Sequence, residues 1–168
     1  MTRRLLAVLR TAIIAPLFIS IWTWFLPRWF GGARAFEQPR PLGWLLAALG
    51  VLILAACAWN FAWRGLGTPA PFDPPRRLVV SGPYRHVRNP MYLGLVVTLL
   101  GEAAVFPRIA AGLVIEAALF WLGATVFVMA FEEPVLRSAF DGSYAAYCGG
   151  VRRWIPRLTP WYAPAHLE

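Results

Sequence analysis

The sequence predicts an all-α integral membrane protein with about four transmembrane helices, a tight hairpin between the third and fourth, and a cytoplasmic C-terminal helical tail. Three observations lead there. Apolar residues make up 59% of the 168 positions and charged residues only 14%, against about 25% charged in a soluble domain. Four long apolar segments recur along the chain, as a polytopic membrane protein requires. All sixteen basic residues are Arg, and they cluster between those segments in a biased way, as cytoplasmic loops do.

The first apolar segment runs over residues 5–26 and is interrupted by Arg10 and Pro16. It lacks a small-residue cleavage site, so it reads as an anchor rather than a removable leader. The second covers 42–63, about 33 Å of helix, which crosses a bilayer. The third, 91–106, is short. The fourth covers 109–131. Between these two stand only Pro107 and Arg108, so they must fold back on each other as an antiparallel hairpin. The short third segment then leans on its partner or ends below the surface.

Arg sets the orientation. With the N-terminus in the cytoplasm, Arg3, Arg4, Arg10, Arg64, Arg76, Arg77, Arg85, Arg88, Arg137, Arg152, Arg153 and Arg157 lie inside, twelve of the sixteen. Only Arg28, Arg34, Arg40 and Arg108 face outward. This bias supports four crossings with both termini in the cytoplasm; the membrane is expected to be a bacterial inner membrane. It also puts residues 64–90 and 132–168 on one side, able to meet. The net charge of +8 belongs to this pattern and to an anionic lipid surface, not to nucleic acid, because the Arg flank apolar segments.

The loop from 64 to 90 is rich in Pro and Gly and is not regular helix, although the run RRLVV suits a short extended piece. Asn89-Pro90 reads as a helix start, with Asn capping and Pro in the first turn. Gly94 and Gly101, seven apart, suit close helix contact. In the tail, Pro134 suits the first turn of a new helix with Glu132 and Glu133 at its start. Leu136, Phe140, Tyr144 and Tyr147 recur near one helical turn, and Asp141-Gly142 breaks the tail into two short helices. Cys57 and Cys148 read as packing residues.

The polar residues each have an ordinary reading. Arg85 and Arg88 fit positive cytoplasmic residues, and Tyr84 and Tyr92 fit an interfacial aromatic belt. His86, with no Cys or second His beside it, has no metal-ligand spacing and is a structural or ligand-contacting residue. Glu102 and Glu116 lie inside apolar segments, so each is either a site residue or a carboxyl facing a neighbouring helix, an Arg or the outer surface. What the ordinary readings explain poorly is the concentration of this chemistry in SGPYRHVRNPMYLG, residues 81–94, opposite Glu132-Glu133. There is no phosphate loop, no Ser/His/Asp arrangement and no paired Cys motif.

The stretch RRLVVSGPYRHVRNPMYLG, a tight hairpin, and then EEPVLRSAFDGSYAAYCGGVRRWIPR together resemble the isoprenylcysteine carboxyl methyltransferase and phospholipid N-methyltransferase families of integral membrane methyltransferases. The resemblance covers residues 76–157 and rests on G-x-Y-x-x-x-R-(H/N)-P-x-Y-x-G, then Glu-Glu, F-x-x-x-Y-x-x-Y and a later Ile-Pro. The first two helices are similar only in kind. The resemblance implies an S-adenosylmethionine pocket between hairpin and tail, with contacts from Arg76, Arg77, Leu78, Val79, Tyr84, Asn89, Pro90, Met91, Tyr92 and Glu132. Asn89 stands where the isoprenylcysteine enzymes have His. Val128 stands where they carry a substrate-holding Arg, four residues before the cofactor-contacting Glu.

The chemistry agrees with that implication. Glu132 can pair with a cationic group of the cofactor, Arg88 or Arg76 with its carboxylate, and Tyr84 or Tyr92 with adenine or the sulfonium. The expected activity is methyl transfer to a lipid or other hydrophobic small molecule, on O, N or S, at the cytoplasmic membrane face. Two other readings stay open: an NADPH-dependent membrane reductase related to sterol reductases, which share an R-(H/N)-P-x-Y segment, and a non-enzymatic membrane scaffold.

Overall fold

The computed structural model describes residues 13, 17, 19–32, 39–61, 63 and 78–163. Most of the first apolar segment, Arg64, Arg76 and Arg77 lie outside the described residues. Among the described residues all regular structure is helical: α1 (Leu26–Gly31), α2 (Gly43–Asn60), α3 (Pro90–Val105), α4 (Ala110–Phe127) and α5 (Glu133–Gly150). Two helical stretches are long and apolar enough to cross a membrane, α2 and the stretch that begins with α4. At 16 residues α3 spans about 24 Å, short of the ~30 Å hydrocarbon core.

α2 and α3 pack most intimately, and small residues are the reason. A Cβ at Gly43 would stand 2.6 Å from the Val105 backbone nitrogen, and one at Gly101 would overlap the Ala47 backbone. A Cβ at Gly50 would collide with Thr98, and Gly94 faces Ile53 and Leu54. In lipid, apolar side chains gain nothing by leaving one apolar solvent for another, so such close van der Waals contact must hold the pair. The pair is antiparallel, since the Arg40 N–H at the entry to α2 donates to the Val105 carbonyl at the end of α3, 2.8 Å away.

α3 turns into α4 over residues 106–109. The Phe106 N–H donates to Glu102 and the Ile109 N–H to Phe106, closing the expected hairpin. Leu95, Leu99 and Ala103 of α3 meet Leu113, Ala117, Phe120 and Ala124 of α4 in one core. The rest of α4 is apolar yet exposed, including Val114, Ile115, Leu119, Leu122 and Val126. A helix apolar all round but covered by protein on one face is suited to lipid on the others.

Two helix boundaries differ from the sequence expectation, for one physical reason. The first helix does not end at Leu26 but runs on through Pro27 to Gly31, and α5 does not start afresh at Pro134 but continues α4. In both places a π-helical turn comes two residues ahead of the proline, Ile21–Phe25 and Val128–Glu132. The Leu26 N–H bonds back five residues to Ile21, and the Glu133 N–H to Val128. Proline has no N–H for the carbonyl four residues back and its ring crowds that carbonyl. One wide turn absorbs both defects without breaking the helix. Asp141 does break helical geometry, at φ 33° and ψ −114°, where Asp-Gly predicts it.

Candidate active site

Two chain segments meet the turn Val128–Glu132 at the end of the bundle where α2 stops and α3 starts: residues 78–92 and a strap of residues 151–163. The Ser81 hydroxyl donates to Asn60 Oδ1 at 2.6 Å, tying the first segment to the last residue of α2. Gly82 sits at φ +56°, and a Cβ there would meet Asn60 Nδ2 at 2.7 Å, so this turn suits glycine. Leu78–Val80 is neither helix nor strand. Val79 joins the Cys57–Tyr84 cluster on one side, while Leu78 and Val80 pack on Tyr144, Tyr147 and Val151 on the other, so successive side chains point to opposite sides.

The strap runs along residues 85–89 through backbone bonds. Arg88 N–H donates to the Arg152 carbonyl, Arg157 N–H to His86 and Trp161 N–H to Arg85, all near 3 Å. His86 Nδ1 donates to the Arg157 carbonyl at 2.9 Å, a carbonyl being an acceptor only. His86 thus fixes the strap. The Tyr147 hydroxyl donates to the Tyr84 carbonyl at 2.6 Å.

At the centre, the Tyr92 hydroxyl donates to Glu132 Oε2 at 3.0 Å, joining two expected site residues 40 positions apart. Beside it, Glu133 is 6% exposed and accepts from Arg153 Nε at 2.7 Å and from a terminal nitrogen of the same guanidinium at 3.0 Å. Arg88 approaches the same carboxylate at 3.2 Å. Both glutamates are the first residues past the apolar stretch that ends at Phe131. Burial pushes the Glu132 carboxyl above the ordinary carboxylate range; the Tyr92 bond opposes this and the Glu133 charge adds to it. Burial works on Glu133 too, but the Arg153 bonds and the charges of Arg88, Arg153 and Arg137 outweigh it and hold that carboxyl low. Two adjacent carboxyls pushed apart in this way take different roles.

The other expected site residues fall into place as follows. Met91 packs between the hairpin core and the Cys57 cluster, and Pro90 is buried as the first residue of α3. Tyr84 is buried, edge-on to Phe61 and hydrogen-bonded to Cys57, and burial pushes its hydroxyl well above the ordinary range. Arg88 spends its charge on Glu133 and also donates to Cys148 Sγ at 2.7 Å, so Cys148 is more than filler. Asn89 sits at the cap position of α3 but makes no side-chain cap. Its amide donates instead to the Arg153 carbonyl at 3.2 Å, because the strap lies across the helix start and competes for it. Glu102 and Glu116 do not join this site. Glu102 is ten residues along α3 from Tyr92, about 15 Å. Each of the two has one buried oxygen with no hydrogen-bond partner among the described residues.

Sequence reasoning set Glu132-Glu133 opposite the Arg-rich stretch without separating the two, and it missed two side chains here, Arg153 and Trp154. Trp154 stands edge-on between Tyr92 at 6.3 Å and Trp121 at 6.1 Å, and its indole N–H is buried without a partner among the described residues. The adjacent pairs Glu132-Glu133 and Arg152-Arg153 were the available signal for the ion pair; nothing in the sequence signalled Trp154.

A sequence model of the family described as phospholipid methyltransferase matches residues 38–143. The match takes in α2, beyond the resemblance read from the motifs, and stops within α5, before the strap. No curated protein and no solved structure matches the chain.

Proposed function

The chain belongs to the phospholipid methyltransferase family, and from that premise we propose that it transfers a methyl group from S-adenosylmethionine to a lipid or other hydrophobic small molecule at the cytoplasmic face of a bacterial inner membrane. In this reading the chain crosses four times with both termini inside. The observation that carries it is the Tyr92–Glu132 pair at the mouth of the hairpin. Glu132 is a largely buried carboxylate that accepts from a tyrosine, while its neighbour Glu133 takes both nearby Arg. A buried carboxylate without a cation is costly, so the arrangement fits a cationic ligand.

The bound cofactor supplies an electrophilic methyl group on a sulfonium. Glu132 pairs with a positive group of the ligand, and the Tyr92 hydroxyl holds that carboxylate in one orientation. Phe120, Tyr92 and Trp154 present aromatic surface beside it, suited to adenine or to a cationic centre. The unpartnered Trp154 N–H supplies one further donor. Leu78 and Val79, with Asn89 to Met91, are the residues expected to wall the adenosine end; Arg76 and Arg77, expected with them, lie outside the described residues. Arg88 acts here through Glu133 and not on the ligand. The chain's task in a displacement at carbon is to hold donor and nucleophile in line and exclude water. A carboxylate or thiolate acceptor needs no base, whereas an amine must first lose its proton.

Binding of labelled S-adenosylmethionine to the purified protein tests this. Micromolar binding that is lost in Glu132→Ala and weakened in Tyr92→Ala supports the proposal. Unchanged binding in both variants refutes the site, NADPH binding in its place favours a reductase, and no binding of either favours a scaffold.

A further inference from the structure

The strap has an outer face that the site does not use. Its inward side chains are all anchored: Arg153 on Glu133, Trp154 against Tyr92 and Trp121, Arg157 on the Gly150 carbonyl and Trp161 against Tyr147. The residues between them face away. Ile155 is 60% exposed and Leu158 is 99% exposed, with Pro156 and Pro160 exposed beside them. Two prolines stiffen this tip, so it cannot fold its apolar side chains back on itself.

The strap does not stand out in solvent. Trp154 packs on Trp121, which lies six residues before the end of α4 and so about 9 Å inside it. Past that level α4 still exposes Leu122 and Val126, and the apolar surface continues to Met129 and Phe131. The next strap residue after Trp154 is Ile155. The tip therefore continues the same apolar surface that α4 presents to lipid. Exposed Arg152 precedes it and exposed Arg137 lies on α5, the charge that lipid phosphates favour at a membrane face.

We infer that the strap tip, residues 155–160, is a lipid contact in its own right, seated at the boundary between headgroups and acyl chains beside α4. Its partner is the bilayer leaflet. This rests on the membrane reading of α4. Because Trp154 directly precedes the tip and packs on Tyr92, the contact fixes the depth of the Tyr92–Glu132 mouth at the lipid headgroups. Apolar side chains with flanking Arg, held in the interface plane, are how non-spanning segments grip a membrane. The tip lies outside the 38–143 family match.

The test is fluorescence quenching in vesicles of phosphatidylcholine and phosphatidylglycerol. Leu158→Cys carries an environment-sensitive label, and the unsubstituted protein, with Cys57 buried, gives the background. Leu119→Cys on the exposed side of α4 serves as a control for the membrane reading. Nitroxide lipids spin-labelled near the headgroup should quench the label of the Leu158→Cys variant several-fold more than aqueous iodide does. Iodide quenching that dominates at 158 while lipid dominates at 119 overturns the strap proposal alone. Iodide dominating at both positions overturns the membrane reading beneath it. High-yield disulfide cross-linking between two copies of the unlabelled Leu158→Cys variant, absent from the unsubstituted protein, means that a second copy covers the tip, and this too overturns the proposal.

Discussion

Glu133→Gln keeps the size of the side chain and removes the charge that two arginines share. In the folded protein Glu133 holds Arg153 through bonds of 2.7 and 3.0 Å and Arg88 at 3.2 Å. The side chains are 8% exposed for Glu133, 12% for Arg88 and 30% for Arg153. Removing one partner of a buried ion pair costs about 3–5 kcal/mol. Gln retains one acceptor oxygen and Arg153 is partly solvated, which lowers the expected loss to about 2–3 kcal/mol. For a chain of this size that is a fall of roughly 4–12 °C in the unfolding midpoint. Tryptophan fluorescence of the detergent-purified protein reads it, since Trp154 and Trp161 ride on the strap that Glu133 anchors. Glu132→Gln keeps an acceptor for the Tyr92 hydroxyl and removes a carboxylate that burial disfavours, so it should cost nothing measurable by the same assay. A loss under ~0.5 kcal/mol for Glu133→Gln would mean that the pair behaves as an exposed salt bridge, and the strap would have to be held by its backbone bonds alone.

Tyr92→Phe removes the bond that orients Glu132, so cofactor affinity measured by equilibrium dialysis should fall about 2- to 12-fold, and Glu132→Gln should weaken it more. The two carboxyls should respond to acid at different pH. Glu133 has a lowered folded pKa, so its stabilisation is present above the unfolded value of about 4.3 and is lost as pH falls through the folded value; melting curves across that window check it. Glu132 is raised, so cofactor binding, which needs the carboxylate, should weaken on acidification at a pH above the one that loosens the strap. Gly101→Val places side-chain carbon inside the Ala47 backbone and should abolish the folded, monodisperse protein in size-exclusion chromatography. Gly82→Ala, at φ +56° against Asn60, should cost about 1–3 kcal/mol in thermal unfolding.

The parts of the fold written in local periodicity were legible. Apolar runs gave α2, α3 and α4 to within a few residues, and the two residues Pro107-Arg108 forced the hairpin. The Arg bias put residues 64–90 and 132–168 on one side, free to meet, and the described part of that loop does bond to the strap. The motif resemblance named Tyr92 and Glu132 separately as cofactor contacts; their hydrogen bond to each other came only with the structure. What escaped depends on geometry that a linear pattern does not carry. Pro27 and Pro134 looked like helix ends because the π-helical turns that carry helices through them leave no sequence mark. Asn89 looked like a cap because its competitor, the Arg153 carbonyl, is 64 positions away. Glu132 and Glu133 are chemically identical in sequence, and only the arrival of Arg88 and Arg153 ties one to the strap while the other accepts from Tyr92. Trp154 lies in an irregular strap whose path is set by backbone bonds to residues 85–88, far away in the chain.

Methyl transfer at the Tyr92–Glu132 mouth is tested most directly by incubating the membrane-reconstituted protein with methyl-labelled S-adenosylmethionine and total membrane lipids, then extracting and identifying the labelled product. Label should appear in a lipid-soluble product with the native protein and be lost with Glu132→Gln, while Glu133→Gln keeps residual transfer at temperatures below its melting point. Label that stays wholly in the aqueous cofactor with folded native protein, or transfer that Glu132→Gln leaves unchanged, would contradict transfer at that mouth.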